Sequence, residues 1–198
     1  PKSLRVKEKT DIQTIITTSI ADYLPFPKNK LYPIKVKREN NIVIDTTGSV
    51  LFKDFKNFGP VKPIEVDPKE DVAVLQYTGG TTGLPKGVML THFNLSANVD
   101  QISNFFYKYN RGDEKRVLSV VPFFHVYGMT CCLNFGVANG YELVLVPRFD
   151  VTDVLKTINK KKPHFFPGAP TMYVAILNDP KLSKYDLSSI EACISGSA

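Results

Sequence analysis

Apolar positions fall along the chain as short, β-branched runs that alternate with longer stretches of helical period. Segments 12–18 and 72–77 read as strands, and a shorter strand follows at 87–90. From His92 to about Tyr109, Leu95, Val99, Ile102, Phe105 and Phe106 recur at helical spacing, with Thr91 or Asn94 placed to cap the start. Segment 117–121 predicts a buried strand stopped by Pro122, and a helix from near Tyr127 to Ala138 ends at Asn139-Gly140. A strand at 143–146, a helix at 150–160, a brief strand at 164–166, a helix at 170–177 and a last strand at 190–194 complete the series. Strands alternating with helices at this spacing make βαβ units, so the fold class is α/β: mostly parallel sheets with flanking helices in stacked layers.

The interval 28–68 is less regular and carries Pro33, Pro60 and Pro63 between Pro27 and Pro68; it is expected to pack over a sheet rather than inside one. Residues 110–114, Asn-Arg-Gly-Asp-Glu, are the best hinge, dividing the chain into sub-blocks 1–112 and 113–198. There are no internal repeats. An apolar run leads straight into Gly196-Ser197-Ala198, where a parallel strand would normally feed a crossover, so the chain reads as a piece of a longer protein.

Composition narrows the classes. A chain of 198 residues, 43% hydrophobic, buries a real core. The net charge of +6 sits mainly in the first block, with 16 Lys/Arg against 11 Asp/Glu in residues 1–112 and 9 against 8 thereafter. Such a surplus attracts polyanions such as a nucleotide, coenzyme A or anionic lipid, and equally serves as a solvated face. No aromatic-interleaved basic motif or zinc-finger spacing points to nucleic acid. Cys131, Cys132 and Cys193 form no C-x-x-C pair, which fits a reduced, cytoplasmic setting. No apolar run approaches the ~20 residues of a membrane span, so membrane contact is expected to be peripheral at most.

The chemistry concentrates in Thr78-Gly79-Gly80-Thr81-Thr82-Gly83-Leu84-Pro85-Lys86-Gly87. Glycines let successive backbone N–H groups turn inward onto an anion. Thr78, Thr81 and Thr82 offer hydroxyls to phosphate oxygens or to magnesium, and Lys86 adds a charge that pairs with phosphate. A Walker A loop is excluded, because Leu84-Pro85 follows Gly83 where Lys-Ser/Thr is required; the G-x-G-x-x-G dinucleotide spacing is absent too.

This loop resembles the signature of the adenylate-forming superfamily of acyl-CoA synthetases, firefly luciferases and peptide-synthetase adenylation domains. Val121-Pro122-Phe123-Phe124-His125-Val126-Tyr127-Gly128 is similar to its second core motif. Phe166-Pro167-Gly168-Ala169-Pro170-Thr171-Met172-Tyr173 resembles the segment before the acyl pocket, and Ser195-Gly196-Ser197-Ala198 the opening of the adenine- and acyl-contacting motif. Residues 16–33, with Ala21-Asp22-Tyr23-Leu24-Pro25-Phe26, are similar to the long-chain fatty acyl-CoA synthetase branch. Gly79 replaces the Ser or Thr commonest at its position across the superfamily, which removes one hydroxyl contact.

The resemblance implies a ligase that uses ATP and magnesium to turn a fatty acid into an acyl-adenylate and then a coenzyme A thioester. It implies catalytic roles for His125, Lys86 and Thr81, nucleotide contacts from Thr78 to Gly83, from Lys86 and from Gly196, Ser197 and Ala198, and magnesium at Thr78. Substrate contacts fall to His125, Val126, Tyr127, Met129 and Gly168; Tyr127, Met129, Phe166 and Met172 either line an acyl tunnel or pack the core. His92 and His164 read as structural, Cys131 and Cys132 as small buried hydrophobes. In relatives a magnesium-binding glutamate, a ribose-binding aspartate and a C-terminal lysine lie beyond the last motif present here, so the chain alone is expected to lack turnover. Truncated sheet edges predict self-association as a homo-oligomer. The alternatives are an aryl- or short-chain acyl-CoA ligase, an acyl-AMP ligase, a catalytically silent nucleotide-binding module, and, on charge alone, a peripheral lipid binder.

Overall fold

The computed structural model describes residues 2–40, 47–57, 59–78, 85–109 and 114–197. The chain divides into two compact units, Pro1–Ile64 and Glu65–Ala198. The sub-block boundary expected near 112 falls beside residues 110–113, which lie outside the described residues.

In the first unit, helix α1 (Lys2–Lys7) and helix α2 (Lys28–Asn40) accompany a two-residue parallel pairing of β1 (Ile16–Thr17) with β2 (Val50–Leu51). The strand predicted over 12–18 therefore shrinks to two paired residues. The interval predicted to be irregular contains a 13-residue helix with Pro33 inside it. Its described side chains are mostly exposed, so it lacks the apolar stripe by which a helix announces itself in sequence.

The second unit opens with a hairpin of β3 (Val72–Thr78) and β4 (Lys86–Thr91), paired antiparallel from Val72↔Thr91 to Thr78↔Lys86. The connection at 79–85 is too short for a crossover, which leaves only the antiparallel arrangement. β3, whose apolar composition is that of a buried strand, is largely exposed, with Leu75 58% and Tyr77 65% accessible. Helix α3 (His92–Phe105) follows at once, started by a capping box in which Thr91 and Asn94 satisfy each other's backbone N–H groups.

A four-stranded, all-parallel sheet forms the body, in the order β6-β5-β7-β8: β5 (Arg116–Ser119), β6 (Glu142–Leu145), β7 (Phe165–Gly168) and β8 (Ala192–Ser195). Between β5 and β6 runs α4 (Val126–Gly128), a π-helical stretch (Met129–Asn134) and α5 (Phe135–Ala138). Helix α6 (Val151–Lys161) joins β6 to β7, and α7 (Pro170–Leu177) joins β7 to β8. α6 is capped by Asp150 at its start and by left-handed Lys162 at its end.

Successive strand residues face opposite sides, and two cores result. Val117 and Phe165 join Phe106, Cys132, Phe135 and Ala192 on the face covered by α3 and the 126–138 helix. Leu118 and Phe166 join Val154, Leu155, Ile158 and Ile176 on the face covered by α6 and α7. On the first face Phe135 meets Phe165 edge-on at 5.3 Å, Tyr141 stacks on Phe165 at 5.6 Å, and Phe106 closes the cluster 6.1 Å from Phe165. Phe106 thereby ties the end of α3 to the parallel sheet.

Candidate functional site

β5 is followed by a helix on one face of the sheet, whereas its neighbour β7 is followed by α7 on the other. The chain thus leaves two adjacent parallel strands in opposite directions, and a crevice opens at their carboxyl ends. In open α/β sheets this is where ligands bind.

Three turns meet there. The first is 120–125, held by Pro122 O accepting from His125 N–H at 3.1 Å. His125 caps α4, its Nδ1 accepting from Tyr127 N–H at 3.2 Å, which leaves Nε2 facing the crevice. Gly128 packs under this turn, where a Cβ would stand 2.3 Å from Pro122 O, so any side chain there would force the backbone to shift. The second turn is Gly168-Ala169 and the third Gly196-Ser197, joined by Gly196 N–H donating to Gly168 O at 3.2 Å. Ser197 is left-handed, φ 63°, and its Oγ lies 3.3 Å from His125 Nε2.

Two tyrosines form the floor. Tyr127 Oη lies 2.5 Å from Ile194 O and 3.3 Å from Gly168 O, and its ring occupies the space above Gly196. Tyr173 Oη lies 2.7 Å from Phe166 O and 2.8 Å from Ile194 O, and its ring fills the space beside Gly168. Burial drives both phenols well above the ordinary tyrosine range, so both are neutral donors. Burial also pushes the thiols of Cys131 and Cys132 to about 11 and about 12, which suits inert hydrophobes rather than nucleophiles.

The structure brings His125, Tyr127, Gly168, Gly196 and Ser197 together. Val126 lies beside them, lining a cleft of about 570 Å³ with Leu90, Phe93, Asn94, Gln101 and Thr130. Met129 begins the π-helical stretch, half-buried, with its N–H on His125 O at 2.9 Å. Phe166 is buried in the core and Met172 packs against the same cluster, so of the two readings open for them the core one holds. His164 is structural, its Nδ1 accepting from Arg116 N–H at 3.1 Å at the amino end of the sheet.

Thr78 and Lys86 stand opposite each other at the loop end of the hairpin, both exposed, Thr78 Oγ1 lying 3.5 Å from Lys86 O. Gly79, Gly80, Thr81, Thr82 and Gly83 lie outside the described residues, as does Ala198. The hydroxyl and ammonium that flank the loop suit phosphate oxygens. Among the described residues no group of three or more His, Cys, Asp or Glu is placed to hold a metal ion. A magnesium ion at Thr78 would therefore depend on nucleotide phosphates and water for most of its shell.

Tyr173 and the Ile194 carbonyl were not singled out in the sequence. The available signal was a tyrosine inside the apolar turn Met172-Tyr173-Val174, since a buried phenol needs a hydrogen-bond partner.

The model of the AMP-binding enzyme family matches residues 2–198. A long-chain-fatty-acid–CoA ligase of Bacillus subtilis is 48% identical over the whole chain, which covers 36% of that relative. 4-Coumarate–CoA ligase 2 of Petroselinum crispum is 36% identical over 69% of the chain and 25% of its own length. Among solved structures, ATP-bound MatB from Rhodopseudomonas palustris superposes with a TM-score of 0.62 at 27% identity, over 70% of this chain and 26% of that one. The chain thus spans about a third of the first of these relatives.

Proposed function

Because the chain belongs to the AMP-binding enzyme family, we propose that it supplies the phosphate grip and the carboxylate-orienting crevice of an ATP-dependent long-chain fatty acid–CoA ligase. The observation that carries this reading is the meeting of His125, Tyr127, Gly168 and Ser197 at the carboxyl ends of β5, β7 and β8, in a chain that also bears the Thr78–Lys86 hairpin. Fatty acid as substrate is supported by the relative at 48% identity.

In the first half-reaction a carboxylate oxygen attacks the α-phosphorus of ATP, and the bond to the bridging oxygen breaks to release pyrophosphate. Lys86, Thr78 and the loop between them hold the departing phosphates, with Thr81 and Thr82 adding hydroxyls; Thr78 would help hold a magnesium ion, which would supply further neutralisation of phosphate charge. His125 Nε2 orients the carboxylate and the α-phosphate, and Ser197 sets the direction of that nitrogen. Gly168, Gly196, Ser197 and Ala198 contact the nucleotide, and Val126, Tyr127 and Met129 face the acyl chain. In the second half-reaction the sulfur of coenzyme A attacks the acyl carbon, the acyl–phosphate oxygen bond breaks, and AMP leaves. The setting is cytoplasmic; among the described residues no helix is long and apolar enough to cross a membrane.

An aryl-acid ligase is the second reading, favoured by the 36% identity to the coumarate enzyme. A carboxylate panel on the full-length protein, read as ATP-dependent AMP release, separates the two. A long-chain fatty acid is expected to exceed 4-coumarate and acetate by at least about tenfold in kcat/KM. A preference for 4-coumarate or acetate contradicts the fatty-acid assignment, and release with no carboxylate contradicts the ligase.

A further inference from the structure

The two floor tyrosines converge on one backbone atom. Ile194 O, near the end of β8, lies 2.5 Å from the Tyr127 hydroxyl and 2.8 Å from the Tyr173 hydroxyl. A carbonyl oxygen has two lone pairs, so Ile194 O can accept from Tyr127 and also share the single Tyr173 proton with Phe166 O. The two residues come from different places, one from the helix that leaves β5 and the other from the helix that leaves β7. Among the described residues β8 is an outer strand of the sheet, paired with β7 alone. Its carboxyl end is therefore the part of the crevice that strand pairing constrains least, and it carries Ser197 in a left-handed conformation.

We propose that Tyr173 is a positioning residue for the proposed ligation reaction, its hydroxyl fixing Ile194 so that the Gly196-Ser197 turn stays against His125. The inference rests on the reading of that crevice as the nucleotide and carboxylate site. Its hydroxyl spans the two strands, 2.7 Å from Phe166 O on β7 and 2.8 Å from Ile194 O on β8. Two residues beyond Ile194, Gly196 N–H reaches back to Gly168 O, and one residue further Ser197 Oγ approaches Nε2. The ring has a separate role. It packs against Phe166 with centroids 5.1 Å apart and stands where a Cβ on Gly168 would come within 3.1 Å. Ring and hydroxyl are separable by substitution, so packing and positioning are separable too.

The experiment compares the chain with Tyr173→Phe, which keeps the ring, and Tyr185→Phe, a tyrosine partly buried against the same core cluster. Amide hydrogen exchange is read at Gly196 and, as reporters of the whole sheet, at Val117 and Val154. In Tyr173→Phe, Gly196 is expected to exchange at least about tenfold faster, with Val117 and Val154 unchanged. Tyr185→Phe is expected to leave Gly196 as it is. Unchanged protection at Gly196, or acceleration shared equally by Val117 and Val154, overturns the proposal. Titration with AMP on the same samples separates it from the functional reading. Weaker AMP binding in Tyr173→Phe alone supports both, whereas faster Gly196 exchange in a chain that takes no AMP supports the positioning role of Tyr173 and removes the nucleotide site.

Discussion

His125 Nε2 and Ser197 Oγ stand 3.3 Å apart, although 72 residues separate them and neither is buried. The pair is held by its frames: His125 by the cap on α4, Ser197 by the turn after β8. His125 thus has a structural nitrogen and a chemical one. His125→Asn keeps a side-chain acceptor for the cap and loses the crevice nitrogen, whereas His125→Ala loses both. In the full-length protein, AMP release is expected to fall about 10²-fold or more in each variant. The chain loses about 1 kcal/mol of stability in His125→Ala and about half of that or less in His125→Asn. Rate assays and urea unfolding check the two halves independently.

Gly128 makes a sharper demand. An added Cβ meets backbone atoms, 2.3 Å from Pro122 O and 2.8 Å from Val121 O, and backbone cannot swing aside as a side chain does. Gly128→Ala is expected to destabilise by about 3 kcal/mol, read as a lower urea midpoint with an unchanged slope. Gly136→Ala meets only the tip of Leu143, 2.3 Å away, and is expected to be milder.

At the amino ends of the strands, Lys115 Nζ bonds both carboxylate oxygens of Glu191 at 2.7 Å, its own side chain 9% exposed and that of Glu191 34%. Glu191→Gln leaves the ammonium without its counter-charge. The expected loss is about 2 kcal/mol, below the 3–5 kcal/mol of fully buried pairs because Glu191 keeps some water. Thermal unfolding at fixed pH measures it.

Beside that pair, burial is the main reason His164 is held below its ordinary range; Lys115 and Arg116 depress it further and Glu191 opposes them. The folded state favours the neutral ring, whose Nδ1 accepts from Arg116 N–H. The unfolded chain therefore takes up the proton first. Stability from this residue is complete above about pH 6.5 and is lost as pH falls from there toward the lower folded value. His164→Asn is expected to flatten that part of the stability–pH curve.

One face of the hairpin carries Leu75, Tyr77 and Met89, exposed by 58%, 65% and 68%, with Leu75 directly across from Met89. An apolar ribbon of this kind favours association. Light scattering on the 198-residue chain is expected to show species larger than a monomer at high concentration, and Leu75→Glu with Met89→Lys to reduce them. A monomer throughout contradicts the expectation.

Much of the second unit was legible in the sequence because its parallel strands read as apolar runs: Val117 to Val121, interrupted by Ser119 and buried on both faces, and Leu143 to Val146, although Leu145 is exposed. The helices at 92–105 and 151–161 declared themselves by period, and their caps by Thr91, Asn94 and Asp150. Helix 28–40 did not, since its described side chains mostly face water and Pro33 argued against it. The exposure of β3 was hidden for the opposite reason: its composition is that of a buried strand. At the site, His125, Tyr127 and Ser197 were legible through motif resemblance. Tyr173 was not, because its role depends on a carbonyl 21 residues away on another strand.

On the proposed function, the hairpin and the crevice bind one nucleotide. Titrating ATP into the isotope-labelled chain and following backbone amide resonances tests it most directly. Lys86, Tyr127, Gly168 and Gly196 are predicted to shift together along one binding curve. Shifts confined to the basic run at 160–162, or a response at Lys86 while Tyr127, Gly168 and Gly196 stay silent, would contradict it.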